Sequence, residues 1–208
     1  MCWRRRSARS SPSSTQTWLA NSGPSPEGVS GVGKTVSMTI RPTGAADGSW
    51  VRRVVGEAFA SPRIVSRGVL HIADELSGFI AEEDGEPAGL LLYEMDADDC
   101  EVIVLLSLKE RSGVATTLLA EAERVARGAG CHRLWLVTTN DNLDAIDFYR
   151  KRGWRQVAVH RGAFAEARRL KPEMPELGAN GLSKDDEIEF EFTLGGPAPN
   201  QPTRCARR

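Results

Sequence analysis

The 208-residue chain is 40% apolar and 26% charged, the composition of a soluble globular domain with tails rather than of a fibrous, fully disordered or membrane-embedded chain. A formal net charge of −1 gives no overall electrostatic argument for nucleic-acid or membrane partners, and no apolar run approaches the roughly 18 residues of a spanning helix. The four cysteines (Cys2, Cys100, Cys131, Cys205) are scattered, with no CxxC and no His at metal spacing, so we expect no disulfide framework and no metal, in a reducing, cytoplasmic setting.

Residues 1–37 are rich in Ser, Pro, Gly and Arg and carry a net charge of +4, leaving −5 on the remainder. They show neither helical nor strand periodicity, and such a segment cannot bury enough apolar surface to offset its ordering entropy. We expect a disordered extension. It has the Arg-rich, acid-poor character of a transit peptide, but Met38 also reads as a start that makes it an upstream addition. The segment contains Gly28-x-x-x-x-Gly33-Lys34-Thr35, which matches the phosphate-cradling P-loop letter for letter. A P-loop needs a buried strand before it and a helix after it, because the helix N-terminus supplies the amide donors. Here ANSGPSPE precedes and the β-branched VSMTIRP follows, the reverse order, so we read a chance match. A nucleotide hydrolase acting through residues 28–35 remains the outlying alternative.

From Met38 the pattern sharpens. MTIR predicts a strand. Apolar residues at Trp50, Val51, Val54, Val55, Ala58 and Phe59 predict a helix with one buried face. Residues 61–77 are ambiguous, with a short helix around Leu70–Leu76 as one reading. Two apolar runs around Glu83-Asp84-Gly85-Glu86 predict a hairpin. CEVIVLLSL, apolar on both faces, predicts a central strand. Val114, Ala115, Leu118, Leu119, Ala122, Val125 and Ala126 form the stripe of a strong amphipathic helix. HRLWLVTT predicts a strand parallel to the previous one across that helix. NLDAIDFYRKRG predicts a helix with Asn140, Asp141 and Asn142 as N-cap candidates, and WRQVAVH a strand. EIEFEFTL alternates Ile188, Phe190, Phe192 and Leu194 with Glu187, Glu189 and Glu191, a half-buried antiparallel strand with a solvated acidic face. Together these elements predict an α/β fold with a mixed sheet flanked by helices over 38–194, and a flexible tail over 195–208. The long stretch 161–186 is the expected functional loop, with Arg168 and Arg169 as grips for an acidic substrate or as surface charges.

The best anion site is Lys109-Glu110-Arg111-Ser112-Gly113-Val114-Ala115-Thr116, between a buried strand and an amphipathic helix. Gly113 allows the backbone to turn, and the amides of Ser112 to Thr116 suit a pyrophosphate. This segment resembles the Gln/Arg-x-x-Gly-x-Gly/Ala signature of the GNAT superfamily of N-acetyltransferases, with Glu110 at the family's Gln/Arg position. Downstream, Asn142-x-x-Ala145-x-x-x-Tyr149-x-x-x-Gly153-Trp154 resembles a second family motif.

The resemblance implies a GNAT-like acyl-CoA N-acyltransferase fold with acetyl-CoA as co-substrate. It implies acetyl transfer to a primary amine, of a small molecule on our reading, by direct attack within a ternary complex. It places Arg111, Ser112, Gly113, Val114, Ala115 and Thr116 at the pyrophosphate, backbone groups of Leu106 and Leu108 at the pantetheine amides, and Asn142 on the cofactor arm or simply at the N-cap. Tyr149 is then the general acid toward the CoA sulfur, or a packed helix residue. Glu101 is the general base for the amine, or a solvated strand-end carboxylate. His160, at a strand end beside the long loop, is the histidine to watch. A fold that binds CoA without turnover is the main alternative. The last strand offers an edge for a homodimer.

Overall fold

The computed structural model describes residues 37–109 and 112–195. The Gly28–Thr35 motif, the tail beyond residue 195, Glu110 and Arg111 lie outside the described residues. The described chain opens with β1 (Met38–Pro42) and α1 (Gly48–Phe59), then a small hairpin of β2 (Arg63–Ser66) and β3 (Val69–Ile72). An antiparallel meander follows: β4 (Ser77–Glu83), β5 (Glu86–Asp96) and β6 (Asp99–Ser107). Helix α2 (Val114–Gly128) crosses to β7 (Arg133–Thr139), which pairs parallel to β6. Helix α3 (Leu143–Lys151), β8 (Arg155–His160), the short α4 (Ala163–Ala167) and β9 (Glu187–Thr193) complete the fold. The main sheet runs β1-β4-β5-β6-β7-β9-β8, so β6 is its middle strand, as its two apolar faces require.

The two faces of the sheet make two cores. Leu90, Leu92, Val104 and Leu106 pack against Val51, Val54 and Val55 of α1. Leu91, Val102 and Leu105 pack against the α2 stripe of Val114, Ala115, Leu118, Leu119 and Ala122, and on toward Phe148 and Tyr149 of α3. Val102 joins the α2 side although Val104 faces α1, because β6 carries a bulge. Tyr93 lies opposite Val102 and Leu92 opposite Val104, leaving Ile103 as the extra residue. Helix α2 lies tight on β5: a Cβ on Gly89 would stand 2.3 Å from Val114 Cγ1. Leu118 is fully enclosed, and truncating it to Ala costs about 2–5 kcal/mol.

Two expectations are corrected. Residues 61–77 form the β2–β3 hairpin and a single 3₁₀ turn at Ala73–Glu75, not a helix. Ile64, Val65, Val69 and Ile72 favour extended backbone, and Arg67 and Gly68, at φ 49° and 78°, make a turn whose twist matches that of a two-residue hairpin. The last strand, moreover, is internal. β9 inserts between β7 and β8 and pairs antiparallel with both, so it has no edge to offer a second copy. Its acids are not a solvated face either. Glu189 and Glu191 are only 13% and 14% exposed and pair with Arg133 at 3.2 and 3.4 Å; Glu189 also meets His160 at 2.8 Å, and Glu191 meets Arg155. The alternation predicted one covered face; a neighbouring strand on each side and a layer of cations cover the other.

Candidate active site

Strands β6 and β7 pair only across Asp99–Glu101 and Arg133–Trp135. Beyond Glu101 the register ends, the bulge at Ile103 bends β6 away, and a cavity of about 600 Å³ occupies the wedge. Its floor is Val102, Ile103 and Leu105 of β6 and Leu136 to Thr139 of β7. One end reaches the N-terminus of α3 at Asp141 to Ala145. The other reaches the end of α1, β2 and the 161–186 segment.

The bulged strand decides which backbone groups face the wedge. Leu108 donates its N–H to Ala88 O at 2.8 Å, and the Leu106 carbonyl would lie 2.8 Å from a Cβ on Gly89. Both residues therefore turn their polar backbone toward β5, not toward the wedge. Since backbone direction alternates along an antiparallel pair, Leu105 and Ser107 point theirs to the open side. Leu106 and Leu108, expected at the pantetheine amides, thus have their backbone groups engaged toward β5.

At the start of α2, Gly113 holds φ 76°, the left-handed conformation that suits glycine. The hydroxyls of Ser107 and Ser112 donate to Lys109 O at 2.6 and 3.0 Å, which tightens the loop. Val114 and Ala115 bury their side chains, so only their amides, which have no acceptor within the helix, are available to an anion. Thr116 is exposed, and its Oγ1 accepts from Arg152 Nε at 3.2 Å. Arg152 in turn stacks 3.5 Å above the Phe148 ring. A guanidinium thus stands at the α2 N-terminus, brought there by the packing of α3 on α2. Nothing in the spacing of the first motif announces it. Arg111, the cation expected there, lies outside the described residues.

Asn142 is the N-cap of α3, accepting from Ala145 N at 3.3 Å, and it also lines the cavity. Tyr149 lines the cavity as well, within a cage of Phe148, Trp154 and Phe190 at centroid distances of 5.2, 5.5 and 5.6 Å. Burial drives its phenol well above the ordinary tyrosine value, so it is protonated at neutral pH: a proton donor, not a base.

At the other end, Ser66 is buried, lines the cavity and donates its hydroxyl to Glu101. Burial pushes the Glu101 carboxyl up to about 7; the Ser66 hydrogen bond opposes that, and the charges of Glu94, Glu187 and Glu189 add to it. Glu101 is therefore a half-buried carboxyl poised near neutrality and reached through Ser66. Glu187, only 3% exposed, lines the cavity directly. Its Oε2 has no hydrogen-bond partner among the described residues, and burial raises its pKa. Its alternation with Ile188 hid it, because period-2 patterning cannot tell a solvated face from one covered by another strand.

The 161–186 segment closes this end. It carries α4, and a bridge joins Leu177 to Ser183. Arg168 spends a donor on Lys184 O at 2.7 Å and Arg169 is exposed; neither lines the cavity. The lysines do. Lys171 is 3% exposed and donates to Phe59 O at 2.8 Å, and burial pushes its amine down to about 8. Lys184 lies 3.7 Å from the buried Asp141, which also accepts from Thr139. The available signal was composition: in a chain with 22 Arg and five Lys, two lysines in one loop are exceptions. His160 is held by Glu189.

Residues 51–154 match the acetyltransferase (GNAT) family. The chain belongs to that family. It is 48% identical over 131 residues to the uncharacterized protein YdhI of Bacillus subtilis, covering 62% of this chain and 81% of that protein. To YxbD of the same organism, also uncharacterized, it is 36% identical over 152 residues, covering 73% and 96%. Among solved structures, the fold resembles an IAA acetyltransferase from Bacillus cereus at TM-score 0.61 and 18% identity, covering 76% of this chain and 99% of that one. It also resembles yncA of Salmonella typhimurium with its cofactor acetyl-CoA, at TM-score 0.58 and 16% identity, covering 79% and 98%. These GNAT neighbours share the mixed sheet and its flanking helices. Among the described residues no helix is long and apolar enough to cross a membrane.

Proposed function

We propose that this GNAT protein transfers an acetyl group from acetyl-CoA directly to the primary amine of a small molecule. The observation that carries the reading is the continuity of the cavity. One wedge runs from the α3 N-terminus and Tyr149 to Glu187 and to Ser66, which holds Glu101 behind it; burial raises the pKa of both carboxyls. Solved family neighbours that hold acetyl-CoA or CoA support the choice of donor.

The pyrophosphate sits on the amides of Ser112, Gly113, Val114, Ala115 and Thr116, where the helix dipole and Arg152 favour negative charge. The pantetheine arm runs along the free edge of β6 at Leu105 and Ser107, passing Asn142. This delivers the thioester to the middle of the wedge. The acceptor enters as an ammonium and must lose a proton before it can attack. Glu101, near neutrality, takes that proton through Ser66 or a water, as an efficient base at pH 7 should, with Glu187 as the second carboxyl within reach. The neutral nitrogen attacks the carbonyl carbon, the C–S bond breaks, Tyr149 donates its proton to the departing sulfur, and the proton shed by the new amide nitrogen restores the Tyr149 phenol. Holding both reactants in one enclosed site supplies much of the acceleration.

The test is calorimetric titration with acetyl-CoA, and separately with Mg-ATP, followed by thiol release on a panel of amines. Tight acetyl-CoA binding with amine-dependent thiol release is the expected result. CoA binding without turnover on any amine would reduce the chain to a binding module. ATP binding alone would return attention to residues 28–35.

A further inference from the structure

The charges around the acceptor end are sorted. Glu101, behind Ser66, and Glu187 form its acidic side. Lys171 and Lys184, both from the 161–186 segment, form its basic side. The two lysines differ in one respect. Lys184 has a counter-charge in Asp141, 3.7 Å away. Lys171 has none. Its Nζ makes a single hydrogen bond, to the Phe59 carbonyl, and no carboxylate pairs with it among the described residues. The acid nearest in sequence, Glu173, is committed to Arg63 at 2.9 Å. An ammonium has three donors, and a buried cation without a paired counter-charge is expensive. The backbone that carries it is nonetheless held in place. Lys171 N donates to Ala167 O at 3.0 Å, and its carbonyl accepts from Met174 N at 3.2 Å. A pre-positioned, unbalanced cation on a cavity wall calls for a ligand that brings the missing negative charge.

We propose that the acceptor is a zwitterionic amine, with its amino group toward Glu101 and Glu187 and a carboxylate-class anion held by Lys171. This rests on the acetyl-transfer reading and narrows it to amino acids and their phosphonate relatives. A diamine or polyamine would place its second cation against Lys171, so the same wall that attracts the anion repels that class.

The test uses the full chain with matched acceptors: each L-α-amino acid against its carboxamide, aminoalkylphosphonates against the parent alkylamines, and putrescine. Two quantities are read for each: kcat/KM for acetylation, and the thermal shift produced with CoA present. The best acid is expected to exceed its amide by about 10- to 100-fold, the range of a hydrogen bond to a charged group. Lys171→Met should collapse that ratio to within about threefold while leaving the KM for acetyl-CoA unchanged, and Lys171→Arg should keep most of it. Met matches the lysine stem in shape and removes a buried charge, so the variant should melt no lower than the wild type. Amides or putrescine performing as well as the acids overturns the proposal, as does a ratio indifferent to Lys171→Met. Acetylation without acid preference would sink the anion site and leave the acetyl-transfer reading standing. A thermal shift specific to the acids and lost in Lys171→Met, with no acetylation of anything, would do the reverse.

Discussion

On the acetyl-transfer reading, the donor end is built from Ser107, Ser112 and the first turn of α2, with Asn142, Tyr149 and Arg152 from α3 and its C-terminus. The acceptor end is drawn from four separated places: the α1 C-terminus at Phe59, Ser66 of β2, Lys171 and Lys184 of the long segment, and Glu187 of β9. The two ends also work through different chemistry. The donor end relies on backbone amides and carbonyls, so it demands a conformation and tolerates varied side chains; Gly113 at φ 76° is its fixed point. The acceptor end relies on buried charge, so it demands particular side chains and tolerates varied routes of chain. A family can keep the first and rewrite the second.

That contrast can be broken. The largest expected effect is at the acceptor end. Glu101→Gln should lower kcat/KM by about 10²- to 10⁴-fold, the range of general base catalysis. In the wild type, the rate should rise with pH through about 7, where the raised Glu101 carboxyl ionises, and that limb should vanish in the variant. If Glu187→Gln alone removes the limb, the roles of the two carboxyls are exchanged.

Tyr149→Phe should cost less, on the order of 10²-fold in kcat with little change in KM, because a thiolate leaves readily even unprotonated. A stopped-flow comparison of the two variants orders them. Equal losses would mean that the cage around Tyr149 matters more than its hydroxyl. At the donor end, Gly113→Val forces a β-branched residue into positive φ. It should raise the KM for acetyl-CoA by about 10-fold through a strain of roughly 1–3 kcal/mol, leaving preference among acceptors untouched. A changed acceptor preference would show that the two ends are not separable.

A smaller effect concerns stability. The folded carboxyl of Glu101 ionises near 7 against an ordinary 4.5, so the folded state holds its proton more tightly. The group's contribution is therefore fully present below about pH 4.5 and is lost as pH rises to 7. Glu101→Gln should remove that loss, stabilising the fold by on the order of 2 kcal/mol at pH 8 relative to pH 4. Urea melts at both pH values would read it. A variant less active and more stable marks a group retained for chemistry. Lys34→Ala should change neither acetyl-CoA affinity nor turnover; any loss in calorimetry would revive the first eight-letter motif.

Much of the fold was legible because its signals are local. The α2 stripe, the Asp84-Gly85 turn and the doubly apolar β6 each follow from a few consecutive residues. Residues 61–77 misled because short β-branched runs and a tight turn imitate a frayed helix when read without their partner strand. Which backbone groups at the end of β6 face β5, those of Leu106 and Leu108, and which face the wedge was not legible, because it depends on the pairing partner.

By itself, the sequence determined the order of elements outside residues 61–77 and the glycine turn from a buried strand into α2, since propensity, periodicity and turn chemistry act over a few neighbours; Glu101 and Tyr149 were singled out by the family resemblance. Only the tertiary structure decided that β9 runs inside the sheet, that Arg152 reaches Thr116, and that Lys171 and Glu187 are enclosed in one cavity. Burial of a charge depends on everything that surrounds it, and what surrounds Lys171 and Glu187 arrives from parts of the chain more than a hundred residues apart.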